Sequence, residues 1–168
     1  MLDQEQVRRD ILAWSELFVE RPHPALGGWP PCPYARSARL KNTVAIFTGQ
    51  DPYYDLRNRS QWGMGEYEVI VYAYDPAEWS YDLFSSSISQ ANQECLLHRD
   101  MLALEDHPED PEIVNGVAMN QGTYALALVQ SLSDLDARAK QIAAKGFYDS
   151  WPEEYLKPLF KHRKDPRL

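Results

Sequence analysis

Four short apolar runs constrain the fold of this chain more than any other feature of its sequence. They lie at residues 43–48, 68–74, 101–104 and 123–130. Each run has the length of a β-strand and is bounded by polar, glycine or proline residues. Apolar residues recur at helical spacing over 80–98, and Ser133 with Asp136 resembles a capping box for a helix that runs to Lys145 and is closed by Gly146. Behind the N-terminal region, the predicted order is therefore β-β-α-β-β-α.

That order predicts an α+β fold with a ferredoxin-like, four-stranded, mainly antiparallel sheet and helices on one face. Asp3 predicts the N-cap of an additional N-terminal helix that runs to Phe18. Residues 49–65 are polar and aromatic, and they predict a long binding loop between the first two strands. At 168 residues the chain fits a single domain. Its predicted parts are N-terminal helices with a Cys-Pro loop (1–42), the sheet core (43–146), and a C-terminal helix with a basic tail (147–168).

The segment around Cys32 differs from the rest of this pattern. Pro33 suits the first position of a helix, because its missing N–H would have no partner there. Cys32 is then the N-cap of a short helix that ends near Leu40. The partial positive charge of a helix N-terminus favours a thiolate, so the sequence predicts a lowered pKa and a reactive cysteine. Arg36 and Arg39 on the same helix are expected to hold an anionic substrate. The alternative is an ordinary capping residue with arginines that face solvent.

Two motifs in this chain resemble those of an uncharacterised bacterial domain family of unknown function. They are Cys32-Pro33-Tyr34-Ala35 and His107-Pro108-Glu109-Asp110, where the family carries Cys-Pro-Phe-Ala and then His-Pro-Asp. In the family a helix precedes the first motif, and an asparagine-bearing loop, here with Asn115 or Asn120, follows the second. The resemblance implies no particular activity. It implies that Cys32 and His107 share one site.

A thiol beside a histidine indicates nucleophilic catalysis. Cys32 would be the nucleophile and His107 its base, with Asp106 or Asp110 orienting the imidazole. The alternative is that His107 and Pro108 turn a solvated acidic loop. Substrate contacts are predicted for Trp29, Tyr34, Arg36, Arg39 and Asn120.

A metal site is the second chemical option. Cys95 and His98 have the i, i+3 spacing of one helix face, and Cys32 and His107 would complete a tetrahedral set of ligands. The sequence has neither a CxxC pair nor an HExxH motif. The alternative for Cys95 is a place in the core stripe of its helix. No cofactor is indicated by the sequence.

The overall charge and the chain ends narrow the class of protein. A net charge of −8 repels phosphate backbones, so nucleic-acid binding is disfavoured unless the basic tail acts alone. No apolar run approaches the roughly 18 residues that a bilayer span requires. The first residues are polar and lack the apolar core of a signal peptide, and two distant cysteines do not make a disulfide framework. Together these features predict an acidic cytoplasmic protein.

Three function classes remain open from the sequence. The first is a small enzyme in which Cys32, His107 and the arginines act on an anionic small molecule. The second is a non-catalytic module that binds a partner protein through the aromatic residues of 50–65. The third is a metal-dependent oxygenase or hydrolase. A homo-oligomer is compatible with each class, by analogy with ferredoxin-like sheets that dimerise.

Overall fold

Six helices and six strands form the computed structural model, which describes residues 1–168. The helices are α1 (Gln4–Trp14), α2 (Ala35–Leu40), α3 (Pro52–Trp62), α4 (Tyr81–Ala91), α5 (Leu132–Ala143) and α6 (Glu153–Leu159). The strands are β1 (Val44–Thr48), β2 (Val69–Tyr74), β3 (Met101–Asp106), β4 (Ile113–Val114), β5 (Val117–Ala118) and β6 (Ala125–Ser131). Short π and 3₁₀ turns extend α1 through Val19 and α4 through Arg99. None of the helices has the length and apolar content that crossing a membrane requires.

The main sheet has the strand order β1-β2-β6-β3. β1 and β2 run parallel, with Val44 opposite Val69, whereas β6 runs antiparallel to both of its neighbours. The α+β class and the four predicted strands are confirmed. The ferredoxin-like topology is not confirmed, because the sheet is mixed rather than purely antiparallel. β4 and β5 form a separate two-stranded hairpin that the apolar runs did not predict.

A helix, rather than the predicted loop, connects β1 to β2. Asp51 caps α3 by accepting a hydrogen bond from the Tyr54 N–H (3.2 Å), and Pro52 occupies the first helical position. Leu56 is fully buried in the core beneath the helix. A helical crossover returns the chain to the same end of the sheet, so the second strand runs parallel to the first. The helix that was missed thus explains the mixed sheet.

Helices cover both faces of the sheet, so the prediction of helices on one face is wrong. Successive side chains of a strand point to opposite faces. In β2, Ile70, Tyr72 and Tyr74 pack with α3 and α4, whereas Val71 and Ala73 pack with α1. The N-terminal helix is therefore one layer of the fold rather than an extension of it.

The first residues of α1 also contact the edge of the sheet. Asp3 accepts a hydrogen bond from the Gln6 N–H (2.8 Å), which confirms the predicted N-cap. The Gln4 side-chain amide donates to the carbonyl oxygen of Ile46 (2.7 Å) and accepts from the N–H of Thr48 (2.8 Å). β1 has a neighbouring strand on one side only. Gln4 therefore bonds to backbone groups on the open side of β1.

A second core contains no residue of the main sheet. It is formed by Leu26, by Val114 of β4, and by residues of α5, of α6 and of the segments that follow these two helices. Trp29 and Tyr34 pack against its outer side. The Cys-Pro segment and the C-terminal segment, distant in sequence, thus form one structural unit. The aromatic members of this core, called the aromatic cluster below, are Phe147, Tyr148, Trp151 and Phe160.

Candidate functional site

Cys32 lies in the turn before α2. Its N–H donates to the carbonyl oxygen of Val19 (3.1 Å), and its carbonyl oxygen accepts from the N–H of Ala35 (3.3 Å). α2 begins at Ala35 with Tyr34 at the N-cap position, so the prediction of Cys32 as the N-cap is wrong by two residues. The side chain is half-buried. Cys32 therefore precedes the helix instead of capping it.

Burial raises the pKa of the Cys32 thiol above its ordinary value. The N–H groups of Tyr34 and Ala35, and the nearby Arg138, act in the opposite direction without outweighing the loss of solvation. α2 has only six residues, which limits the dipole that it can offer. The predicted lowering of the pKa is thus wrong in sign.

His107 is buried, and both of its ring nitrogens are occupied. Its residue exposure is 1%, and the ring packs against Tyr81 and Phe84. Nδ1 accepts a hydrogen bond from the Glu109 N–H (3.0 Å), so the ring proton is on Nε2, which donates to the carbonyl oxygen of Trp79 (2.7 Å). A general base needs a free lone pair within reach of the proton that it takes. The His107 ring in this arrangement has none.

Asp106 bonds to the loop that follows it, not to the His107 ring. Its Oδ1 accepts from Asn120 Nδ2 (2.8 Å), and its Oδ2 accepts from the Gln121 N–H (2.9 Å). Burial raises the pKa of Asp106, and these two hydrogen bonds oppose the rise. The predicted role of orienting the imidazole is therefore not supported by any contact. Residues 106–121 are called the His107 loop below.

Asn120 holds the His107 loop together. Its Nδ2 donates to Asp106 and lies 3.1 Å from each of the carbonyl oxygens of His107 and Asp110. Its Oδ1 accepts from the Glu112 N–H (2.6 Å). Both polar atoms of the Asn120 side chain are engaged within the protein. The predicted substrate contact would have to break this network.

No described contact joins Cys32 to His107. The partners of Cys32 are Val19 at the end of the N-terminal helical segment and Ala35 at the start of α2, and the nearby charged or polar groups are Arg138 and Tyr148. The partners of His107 belong to its own loop and to the start of α4. The two sets share no residue. A nucleophile–base pair of Cys32 and His107 therefore has no geometric support.

The two predicted arginine anchors differ in their surroundings. Arg39 forms a bidentate ion pair with Glu20, with Nε–Oε2 and Nη2–Oε1 distances of 2.8 and 2.9 Å. This pair lowers the pKa of the Glu20 carboxyl and ties α2 to the end of the N-terminal helix. Arg36 is exposed and has no side-chain hydrogen bond. Of the two arginines, only Arg36 has a guanidinium that forms no ion pair with a carboxylate.

Trp29 and Tyr34, the predicted aromatic contacts, lie against the aromatic cluster. The Trp29 ring meets Phe147 edge-on, with ring centroids 5.6 Å apart. The Tyr34 hydroxyl lies 3.1 Å from Gln141 Oε1, and the Arg138 guanidinium lies over its ring at 5.3 Å. Both rings are partly exposed. They form the solvent side of this cluster, near Cys32.

The four predicted metal ligands are not assembled. Cys95 is 9% exposed and packs in the sheet core, which agrees with the alternative that it belongs to the core stripe of its helix. His98, by contrast, is exposed on the turn after α4. His107 is engaged as described, in another part of the molecule from Cys32. No group of three or more His, Cys, Asp or Glu side chains is placed to hold a metal ion.

A cleft of about 210 Å³ lies where β1 and β2 both end. Ligands often bind at this end of parallel strands, through backbone N–H groups at the start of a helix. Here the Asp55 carboxylate accepts from the N–H groups of Gln50 (3.0 Å) and Asp51 (3.2 Å) and from the Tyr74 hydroxyl (3.0 Å). The Asp55 carboxylate thus occupies the position that a bound anion would take. This cleft is not a candidate anion site.

The exposed side of α3 is the feature that sequence reasoning assigned to a loop. Trp62 is 82% exposed and Tyr54 is 58% exposed. At 1.5 Å per residue their positions are separated by about 12 Å along the helix. The signals for this helix were present in Asp51 and Pro52, which form a capping residue followed by proline. The side chains of this surface, called the α3 face below, are Tyr54, Arg57, Asn58, Gln61 and Trp62.

Comparison with protein-family models, curated protein sequences and solved structures finds no match to this chain.

Proposed function

We propose that this protein is a non-catalytic module that binds an acidic segment of a partner protein on the α3 face. The observation that carries the proposal is Trp62, whose residue exposure is 82% at the end of a regular helix. This side chain keeps a large apolar surface in water, and contact with a partner would remove that surface from water. Trp, Tyr and Arg dominate the binding energy of protein interfaces, and the α3 face contains one of each.

Charge indicates the chemistry of the partner. Arg57 is exposed on the α3 face, and Arg59 and Arg99 lie near the C-terminal end of the helix, where they bond to neutral oxygen atoms. None of the three is in an ion pair. Glu94, on the segment after α4, bonds to Tyr53, which lowers the pKa of Glu94, and the charge of Arg57 helps to lower that pKa without an ion pair between them. An acidic segment would supply the carboxylates that these arginines lack.

The net charge of the molecule favours approach of an acidic partner in one orientation. The chain carries a net charge of −8, so most of its surface repels an acidic partner. A local group of unpaired arginines then directs such a partner to one face. Nucleic acid carries a denser negative charge, and the acidic surface repels it more strongly.

The other two function classes have less support. Catalysis by Cys32 requires a base, and the His107 lone pair on Nδ1 is bonded to Glu109. A metal-dependent reaction requires a ligand cluster, and none is formed. The α3 face needs no rearrangement to act, because its side chains already point into solvent.

The test is a phage-display selection of random dodecapeptides against the immobilised protein. We expect enrichment of peptides that combine Asp or Glu with apolar residues, because such peptides neutralise Arg57 and cover Trp62. Trp62→Ala and Arg57→Glu should each weaken the selected peptides at least about tenfold, since each removes a central contact. Leu83→Ala is the matched control, because Leu83 is 59% exposed on α4, outside the α3 face.

Two outcomes would count against the proposal. One is selection of peptides whose binding is unaffected by Trp62→Ala and Arg57→Glu. The other is saturable binding of a single-stranded oligonucleotide that depends on the same two residues, which would assign the α3 face to nucleic acid instead.

A further inference from the structure

The open edge of β1 has backbone groups that face away from the sheet. Thr43 and Gly49, which flank the strand, both bond through their backbone to β2. Alternate residues of a strand direct their N–H and C=O groups to the same side. The backbone groups of Val44, Ile46 and Thr48 therefore point outward, to the side on which β1 has no neighbouring strand.

Gln4 bonds to only two of these outward groups, the carbonyl oxygen of Ile46 and the N–H of Thr48. No other side chain and no loop of the chain bonds to the N–H or the carbonyl oxygen of Val44, to the N–H of Ile46 or to the carbonyl oxygen of Thr48. Donors and acceptors in a row on an open edge are the groups that an added strand uses.

A groove of about 240 Å³ runs along this edge. It is lined by the strand from Val44 to Phe47, by Arg8 of α1, and by Glu66 and Tyr67 before β2. Phe47 is 36% exposed, although its ring lies against another aromatic ring of the sheet. The groove thus gives access to the strand edge and to part of an apolar ring.

Arginines flank the edge on both faces of the sheet. Arg8 belongs to α1, which covers one face, and Arg59 belongs to α3, which covers the other and places its guanidinium 5.9 Å from the centre of the Phe47 ring. Neither arginine forms an ion pair. Arg59 bonds only to neutral oxygen atoms. Glu66 is the only carboxylate in the lining, and it is exposed.

We propose that the open edge of β1 binds an acidic, extended segment of a partner protein, which joins the sheet as an additional strand. Its backbone pairs with the free groups of Val44 and Ile46. Successive side chains of a strand point to opposite faces, so two adjacent acidic residues reach Arg8 on one face and Arg59 on the other. This edge is a different surface from the α3 face, and either one stands without the other.

A second copy of the chain fits this edge less well. Antiparallel pairing of two β1 strands about a twofold axis places the α1 layers of both copies on the same face of the joined sheet. Each Arg8 then shares a face with its own equivalent, and so does each Arg59. Like charges across paired strands are unfavourable, and each copy also carries a net charge of −8. An acidic segment supplies the opposite charge at both arginines.

The probe is the acetylated and amidated peptide Thr-Val-Glu-Glu-Val-Thr, whose two glutamates point to opposite faces when it is extended. We expect it to shift the amide NMR signals of Val44 and Ile46 saturably and to slow hydrogen exchange of both amides by about tenfold or more at saturation, because both gain an acceptor. The matched control is the same peptide with two lysines in place of the glutamates, which should bind at least about tenfold more weakly.

Two further peptides test strand pairing itself. Each carries N-methyl groups on alternate residues, one set on either edge of the extended peptide. Only one edge faces β1, so one of the two should lose binding and the other should keep it. This comparison uses the unaltered protein and does not depend on the folding of any variant.

Variants of the protein locate the peptide. Arg8→Glu should weaken binding about fivefold or more, whereas Arg9→Glu, on the same helix but outside the groove lining, should change it less than about twofold. Trp62→Ala should leave binding unchanged.

Three results would overturn the proposal. One is the absence of a saturable shift at Val44 and Ile46, or equal binding of both N-methylated peptides. Another is binding that depends on Trp62 and not on Arg8, which would assign the peptide to the α3 face and would support the proposed function. The last is a shift of the same two amides with protein concentration and without peptide, which would assign the edge to a second copy of the chain.

Discussion

The His107 loop and the aromatic cluster both bury polar groups, but only the loop satisfies them. In the loop, the ring nitrogens of His107, the carboxylate of Asp106 and the amide of Asn120 all have partners within the chain. In the cluster Trp151 retains an unbonded N–H, and so does Arg163, whose guanidinium lies over the Phe160 ring of the cluster. The loop has the residue types of an active site and the bonding of a structural element. The cluster has few such residue types, yet two donors in and beside it remain unbonded.

The difference shows that residue type alone does not identify a functional site. A buried polar network with every member satisfied rigidifies a structure. It has no atom left for a ligand unless the network first breaks. An unsatisfied donor is unfavourable in the free protein and becomes favourable when a ligand supplies an acceptor. The completeness of its bonding therefore argues against the His107 loop as a ligand site.

Asn120→Ala should have the largest effect among the tests of this comparison. It leaves Asp106 Oδ1 and the Glu112 N–H each without a partner, while Asp106 Oδ2 keeps its bond from the Gln121 N–H. We expect the free energy of unfolding to fall by about 2–4 kcal/mol, measured by urea denaturation. Asn58→Ala, on the exposed side of α3, is the control and should change stability by less than about 0.5 kcal/mol. A near-neutral Asn120→Ala would contradict a structural role for the loop.

Glu112→Gln tests the connection between the two regions. The Glu112 N–H donates to Asn120, and its carboxylate accepts from the Tyr155 hydroxyl (3.2 Å), whose ring packs on Trp151. Burial, with a further contribution from Asp106, raises the pKa of Glu112 from 4.5 to about 7. The folded state therefore holds the proton more tightly than the unfolded state does. This group's contribution to stability falls as the pH rises from about 4.5 to about 7, and stays low above that range.

The direction of the Glu112 pKa shift sets the expected effect of Glu112→Gln on stability. Glu112→Gln should stabilise the protein by about 1–2 kcal/mol at about pH 8 and by less than about 0.5 kcal/mol near pH 5, after allowance for partial solvation. Urea denaturation at the two pH values measures both numbers. Glu109→Gln is the control, because the Glu109 side chain is 56% exposed. An equal effect of Glu112→Gln at both pH values would show that the gain has a cause other than titration.

Alkylation of Cys32 by iodoacetamide should show the smallest effect. Its raised pKa and partial burial predict native-state reaction about three- to tenfold slower than in urea, near pH 7.5. Cys95, which is buried in the sheet core, should react more slowly still. Mass spectrometry of the two cysteine peptides over time gives both rates. Faster reaction of Cys32 in the native state than in urea would restore it as a candidate nucleophile.

The strands could be predicted from the sequence because each is a short run of apolar residues with polar boundaries. β2 is the clearest case, since both of its faces are covered and its residues from Val69 to Tyr74 contain no charge. Helix α3 was missed because Leu56 is its only aliphatic residue, and its aromatic residues lie partly in solvent. Without that helix, the sequence predicted a loop between β1 and β2. The two apolar runs that form these strands gave no indication that the strands would pair in parallel.

The candidate site was less predictable, because it depends on contacts between distant segments. A cysteine, a histidine and an aspartate are easily noticed in a sequence, but their partners are not. Glu109 donates its N–H to His107, and Gln121 donates its N–H to Asp106, through backbone atoms that every residue has. The unbonded Nε of Arg163 is a property of the folded packing alone. The sequence could place Arg163 only in a basic tail.

The Gln4 side chain has a consequence for self-association. The backbone groups on an open strand edge are available to pair with a strand of another copy of the chain. The side-chain amide of Gln4 bonds to the Ile46 and Thr48 backbone groups that such a strand would use. A single glutamine near the N-terminus thus closes this part of the edge to polymerisation. Proteolytic trimming of the first few residues would open the whole of β1 as a template for strand exchange between molecules.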